Sequence, residues 1–113
     1  MRHESKKIAK LIDELTTMFL NTDTNKVEFS VEILSDKSII KLVDYNTNIT
    51  DERAEFLNTA FNKPRQPAIE EYYWQIMGSH DTEDEVTLLS MMTDAATVER
   101  RDGNLYIELV RYK

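Results

Sequence analysis

Apolar positions along the chain keep two rhythms, one helical and one alternating. From residue 4 to 20, Ile8, Leu11, Ile12, Leu15 and Phe19 recur at helical spacing and form one stripe. Lys6, Lys7, Lys10, Asp13 and Glu14 lie off the centre of that stripe, and the polar run from Asn21 to Asn25 ends the helix. Over residues 26–34 the period changes to two. Val27, Phe29, Val31 and Ile33 point one way and Glu28, Ser30 and Glu32 the other, which predicts a half-buried strand. Ser35-Asp36-Lys37 is a turn. Ser38–Tyr45 is a second strand, more apolar on both faces and therefore more central, paired with the first as an antiparallel hairpin.

Thr50 is placed to cap a helix, with Asp51 and Glu52 in its first turn, where the helix dipole favours carboxylates. That helix runs to about Asn62 with Ala54, Leu57, Ala60 and Phe61 inward, and Lys63-Pro64-Arg65-Gln66-Pro67 breaks it. A further helix over about 68–77 carries Ile69, Tyr72, Tyr73, Ile76 and Met77, with Gly78 at its C-terminal cap. Ser79–Asp84 reads as an acidic loop. Residues 85–95 read as another helix and 96–101 as a strand. Asp102-Gly103 is a hairpin signal, and Asn104–Tyr112 a last strand with Leu105, Ile107 and Leu109 on one face. The order helix, strand, strand, two or three helices, strand, strand predicts the α+β class. The architecture is a two-layer sandwich of a small mixed or antiparallel sheet with helices on one face.

Composition narrows the function classes. At 113 residues the chain is one domain, spanning 1–113. A net charge of −7 disfavours nonspecific contact with nucleic acid or an anionic membrane, because phosphates are repelled. No apolar run has the length of a membrane span, and MRHESKKIAK has no apolar signal core. The absence of cysteine removes disulfides, thiolate zinc sites and thiol nucleophiles, and fits a bacterial cytoplasmic protein.

The element order, with these loops, resembles the histidine-kinase-like ATPase fold, and within it the short anti-sigma-factor serine kinases. Three motifs carry the resemblance. In that family the first helix bears a Glu and, four residues on, an Asn that holds magnesium; here IDELTTMFLN has Glu14 for the acid and Met18 for the Asn. A thioether does not replace the hard oxygen ligand that magnesium requires. The family's Asp-x-Gly-x-Gly, whose Asp reads the adenine amino group, corresponds to Asp44-Tyr45-Asn46-Thr47-Asn48. Asn is the non-glycine residue best suited to positive φ, so Asn46 and Asn48 are expected to preserve the loop's shape as a vestigial nucleotide loop. The tail SMMTDAATVERRDGNLYIELVRYK resembles the end of the family. Counting back from Asp94, the phosphate-loop glycines fall on about Glu83 and Glu85, beside Asp81 and Asp84. Carboxylates there repel a triphosphate, by roughly 1 kcal/mol per pair in water and about 4 at a surface-like dielectric.

The resemblance therefore implies a non-catalytic regulatory module that has lost ATP and magnesium, with no cofactor. It implies binding to a protein, such as a sigma, anti-anti-sigma or phosphatase component of a partner switch. Two alternatives stand beside it. One is a divergent ATP-binding serine kinase of the anti-sigma type, using Glu14 as base and Asp44 for adenine, with ATP and magnesium as cofactors. The other is an unrelated α+β module that forms a homodimer through its sheet edge. Each residue also has a plainer reading: Glu14 as a helix-surface acid facing Lys10, and Asp44 as a turn-forming Asp. Tyr72, Tyr73 and Trp74 are consecutive and cannot all face one core, so at least one belongs to an interface or to solvent; with Arg65 nearby they are candidates for partner binding. His3 and His80 have no metal-ligand spacing, and Ser5, Ser30, Ser79 and Ser90 have no base at a recognisable interval.

Overall fold

Helix α1 spans Glu4–Leu20 and buries Lys7, Ile8, Leu11, Glu14, Leu15, Met18 and Phe19. Its buried arc is wider than the apolar stripe. Positions 7, 11, 14 and 18 are spaced by four, three and four, so Lys7 and Glu14 share the face of Leu11 rather than flanking it. The computed structural model describes residues 3–20, 24–63, 86 and 89–113. The expected helix over 68–77, with Tyr72, Tyr73 and Trp74, its cap Gly78, the acidic loop with His80 and Glu83, and Glu85 just after it, lie outside the described residues.

The hairpin follows α1 as β1 (Lys26–Ile33) and β2 (Lys37–Tyr45). Helix α2 (Asp51–Phe61) is capped at Thr50, whose hydroxyl accepts from the Arg53 N–H at 3.1 Å. Two strands close the chain, β3 (Ala95–Arg101) and β4 (Asn104–Tyr112). The turn between them puts Asp102 at φ +54° and Gly103 at φ +81°, the two positive values of a type I′ hairpin. The chain departs from expectation just before β3. Helical structure ends at Met91, not near 95. The Thr93 hydroxyl donates back to the Leu89 carbonyl at 2.9 Å, and the Asp94 N–H donates to the Val110 carbonyl at 2.9 Å. The first bond satisfies an orphan carbonyl at the helix end, and the second draws the chain into the sheet.

The sheet is four-stranded in the order β1-β2-β4-β3, every neighbouring pair antiparallel. The apolar strand β2 is interior, as its two-sided pattern predicts. Cross-strand rows build the inner face: Phe29–Leu42–Ile107–Val98, then Val31–Ile40–Leu109–Ala96. Leu11, Leu15, Ala54, Leu57 and Phe61 pack with Ile40, Leu42, Leu105, Ile107 and Leu109 in one core. Each large side chain there stabilises the fold by roughly 2 kcal/mol through water exclusion. Helices α1 and α2 both pack on that one face, so the fold is a two-layer α+β sandwich. The opposite face is mixed, with rows Glu28–Val43–Tyr106–Glu99 and Ser30–Lys41–Glu108–Thr97. No helix among the described residues is long and apolar enough to cross a membrane.

Candidate functional site

The stretch from Asp44 to Asn48 leaves the end of β2 at the centre of the sheet. Asp44 has even parity with Leu42 and Ile40, so it faces inward, and it is buried. Its carboxylate accepts a hydrogen bond from the Thr24 hydroxyl. Tyr45 faces the other way, donates to the Glu28 carboxylate across the hairpin, and lies under the Lys26 ammonium at 5.1 Å. The Glu28 carboxylate holds the Tyr45 phenol above its ordinary pKa, because losing the proton breaks that bond.

Asn46 takes the left-handed conformation, at φ +51°. The asparagine expected to mimic glycine does so at this position. Asn48 does not; its φ is not positive, so only one of the two substitutions keeps a glycine's backbone. The loop then turns against the tip of the β3–β4 hairpin. The Asn46 N–H donates to Asn104 Oδ1 at 3.0 Å. The Thr47 N–H donates to the Gly103 carbonyl at 2.9 Å, and the Ile49 N–H donates to the Thr47 hydroxyl at 3.0 Å. Asn25 Nδ2 reaches the Asn46 carbonyl at 3.5 Å. These bonds aim the loop's donors at the protein itself.

Glu14 is only 2% exposed, so it is not the surface acid of the plainer reading. The expected Lys10 contact is present, with the ammonium 3.7 Å from Oε1. Oε2 is buried without a hydrogen-bond partner. Burial pushes the Glu14 carboxyl above the usual range, and the neighbouring Lys10 pulls it partly back. Met18, one turn on, is buried among apolar neighbours and offers no hard ligand. Among the described residues, no hydrogen bond or ion pair joins Glu14 to Asp44, and no cluster of three His, Asp or Glu side chains could hold a metal.

Two further polar features lie outside the residues that sequence reasoning singles out. Arg111 is 1% exposed at the end of β4. Its Nε and Nη2 donate to Glu4 Oε2 and Oε1 at 2.8 and 2.7 Å, and its Nη1 donates to the Met92 carbonyl at 2.6 Å. The inward parity of 105, 107, 109 and 111 is the clue that could have found it. On the open face a shallow hollow is lined by Lys41, Val43, Thr97, Glu99, Arg101 and Tyr106. Arg101 is engaged there, 3.6 Å from the Glu99 carboxylate and 4.5 Å above the Tyr106 ring.

A four-stranded antiparallel sheet with helices on one face serves many unrelated functions and assigns no family by itself. Comparisons with protein-family models, with curated proteins and with solved structures return no match.

Proposed function

We propose that this chain is a non-catalytic regulatory module that works by binding another protein. In this reading it carries a degenerate histidine-kinase-like ATPase fold whose nucleotide and magnesium elements have been lost. One observation carries the reading: the loop after β2 spends its polar groups internally. A nucleotide loop keeps backbone N–H groups open for its ligand. Here those of Asn46, Thr47 and Ile49 are bonded to Asn104, Gly103 and Thr47, and the Asp44 carboxylate is bonded to Thr24. Releasing them to admit a ligand breaks each bond, and leaves the buried Asp44 and Thr47 groups to be satisfied again, at about 1–3 kcal/mol for each buried group orphaned. Met18 in place of a magnesium ligand points the same way.

The partner is a protein, of the partner-switching kind that the resemblance implies. Tyr72, Tyr73 and Trp74 are the sequence's candidates for the contact. The divergent-kinase alternative draws on a specific feature, the raised pKa of Glu14, since general bases are tuned upward by burial. Calorimetric titration with ATP and ADP, with and without magnesium, separates the two. The expected result is no saturable binding. Micromolar binding that disappears on Asp44→Ala overturns the non-catalytic reading.

A further inference from the structure

The two edges of the sheet are treated differently. On β3, the Ala96 N–H donates to Asn62 Oδ1 at 3.0 Å, and Asn62 Nδ2 donates to the Ala96 carbonyl at 2.7 Å. The Val98 N–H donates to Asn58 Oδ1 at 2.9 Å. Asn58 on α2 and Asn62 at its C-terminal cap thus stand in for a neighbouring strand and close that edge.

Strand β1 has no such cover among the described residues. The Leu34 N–H donates to the Lys37 carbonyl at 2.8 Å, which makes 34 and 37 a hydrogen-bonded pair. Antiparallel pairs alternate, so Lys26, Glu28, Ser30 and Glu32 bond to β2. The N–H and C=O groups of Val27, Phe29, Val31 and Ile33 therefore point out along the edge. Edge strands are usually blunted by shortness, bulges, proline, charged side chains or inward charge, and of these β1 carries only the outer-face charges Lys26, Glu28 and Glu32. β1 has eight residues in unbroken register, and its inward row is wholly apolar. Val31 is 42% exposed and Ile33 57%, although both belong to the core-facing row.

We infer that β1 is a self-association edge, where a second copy of this chain adds its own β1 antiparallel across a two-fold axis. Charge favours the register that sets the opposite charges within β1 against each other. With Phe29 opposite Phe29 of the second copy, Lys26 lies opposite Glu32 at both ends, Glu28 lies opposite Ser30, and Val27 lies opposite Val31. Outward-pointing residues then meet outward-pointing residues, so the pairs centred on Phe29 exchange backbone hydrogen bonds. A shift that centres the pair on Ser30 sets Glu28 against Glu32 twice, and one centred on Glu28 sets that acid against itself. The Phe29 register keeps both helical layers on the same side of an eight-stranded sheet, twice the four strands of one copy. The inference is independent of whether the Asp44 loop takes a nucleotide.

The test is sedimentation equilibrium of the full chain at micromolar concentrations. The wild type is expected to sediment as a dimer. Lys26→Glu and Glu32→Lys each place like charges opposite one another twice, and each weakens dimerisation roughly tenfold. Glu32→Lys leaves the Lys26–Tyr45 contact intact and so isolates the cross-copy pair. The double swap Lys26→Glu/Glu32→Lys restores the wild-type constant, because this register pairs the two positions only with each other. Val31→Pro removes an outward N–H and yields a monomer that still melts cooperatively. A monomeric wild type, a Val31→Pro dimer, or a double swap no better than the single variants overturns the inference.

Discussion

Arg111 and Glu4, 107 positions apart, meet as a two-point fork, with 2.8 and 2.7 Å between guanidinium and carboxylate. The pair ties the first turn of α1 to the last strand, so both ends of the described fold are held at one place. Arg111 is fully buried and Glu4 partly so, which makes the loss of one partner worse than the loss of both. Glu4→Ala is expected to cost about 3 kcal/mol by taking the two-point carboxylate from a buried guanidinium, lowering the melting temperature by roughly 10 °C. The double variant Glu4→Leu/Arg111→Met, apolar on both sides, recovers most of that loss. Thermal and urea denaturation of the three proteins check it.

Glu14 gives the fold a pH dependence of definite sign. Its folded pKa lies above the ordinary carboxylate value of about 4.5, with desolvation the largest cause and Lys10 opposing it. The folded state therefore binds this proton more tightly than the unfolded chain does. Stability from this group is greatest below about 4.5 and declines as pH rises through the folded pKa. Glu14→Gln removes that decline. It is expected to equal or exceed the wild type at neutral pH and to lose its advantage in acid. Urea midpoints measured across pH 4 to 7 carry the comparison; a Gln variant that is weaker at pH 7 than at pH 4, relative to wild type, goes against it.

The strands were legible because two-fold alternation leaves little choice of face. Val27, Phe29, Leu105, Ile107 and Leu109 all lie on the side their parity assigns. Thr50 and Asp102-Gly103 were legible because each carries local chemistry, a side-chain acceptor in one case and positive φ in the other. The polar members of the buried faces were not. Lys7, Glu14 and Arg111 occupy positions that spacing places inward, but their charge reads as surface until a partner is visible. Arg111 needs Glu4, at the far end of the chain, and no local window contains both. In the Asp44 loop, positive φ is legible at Asn46 and absent at Asn48, where the spacing also predicts it. The loop's closure by Asn104 and Gly103 depends on a hairpin more than fifty residues away, which sequence periodicity does not register.

Asn46 offers a backbone test of that loop. Its φ of +51° costs most residues about 1–2 kcal/mol, and β-branched residues more. Its N–H bond to Asn104 comes from the backbone and survives substitution. Asn46→Gly is therefore expected to hold stability within about 0.5 kcal/mol, and Asn46→Val to lose about 2 kcal/mol. The same pair at Asn48, where φ is not positive, should show no preference for glycine. Parallel melting curves at the two positions separate loop geometry from a general intolerance of change.

Asn58 and Asn62 should reveal how the β3 edge is kept from pairing. Between them they satisfy the Ala96 N–H and C=O and the Val98 N–H, and Asn62 Nδ2 also donates to the Asn58 carbonyl at 2.7 Å. Asn58→Ala/Asn62→Ala removes three strand-edge bonds at a net cost of about 1 kcal/mol each, less whatever water recovers at the more exposed Ala96. A loss of about 2 kcal/mol is expected. The distinctive consequence is in association: an uncapped β3 presents Ala96 and Val98 as a second open edge beside the exposed β1. The double variant is then expected to form species larger than a dimer, growing with concentration, while Asn58→Asp/Asn62→Asp keeps two acceptors and adds charge that blocks pairing. Light scattering coupled to size exclusion distinguishes these outcomes. Equal oligomer distributions in the alanine and aspartate variants would place the edge protection elsewhere than in these two side chains.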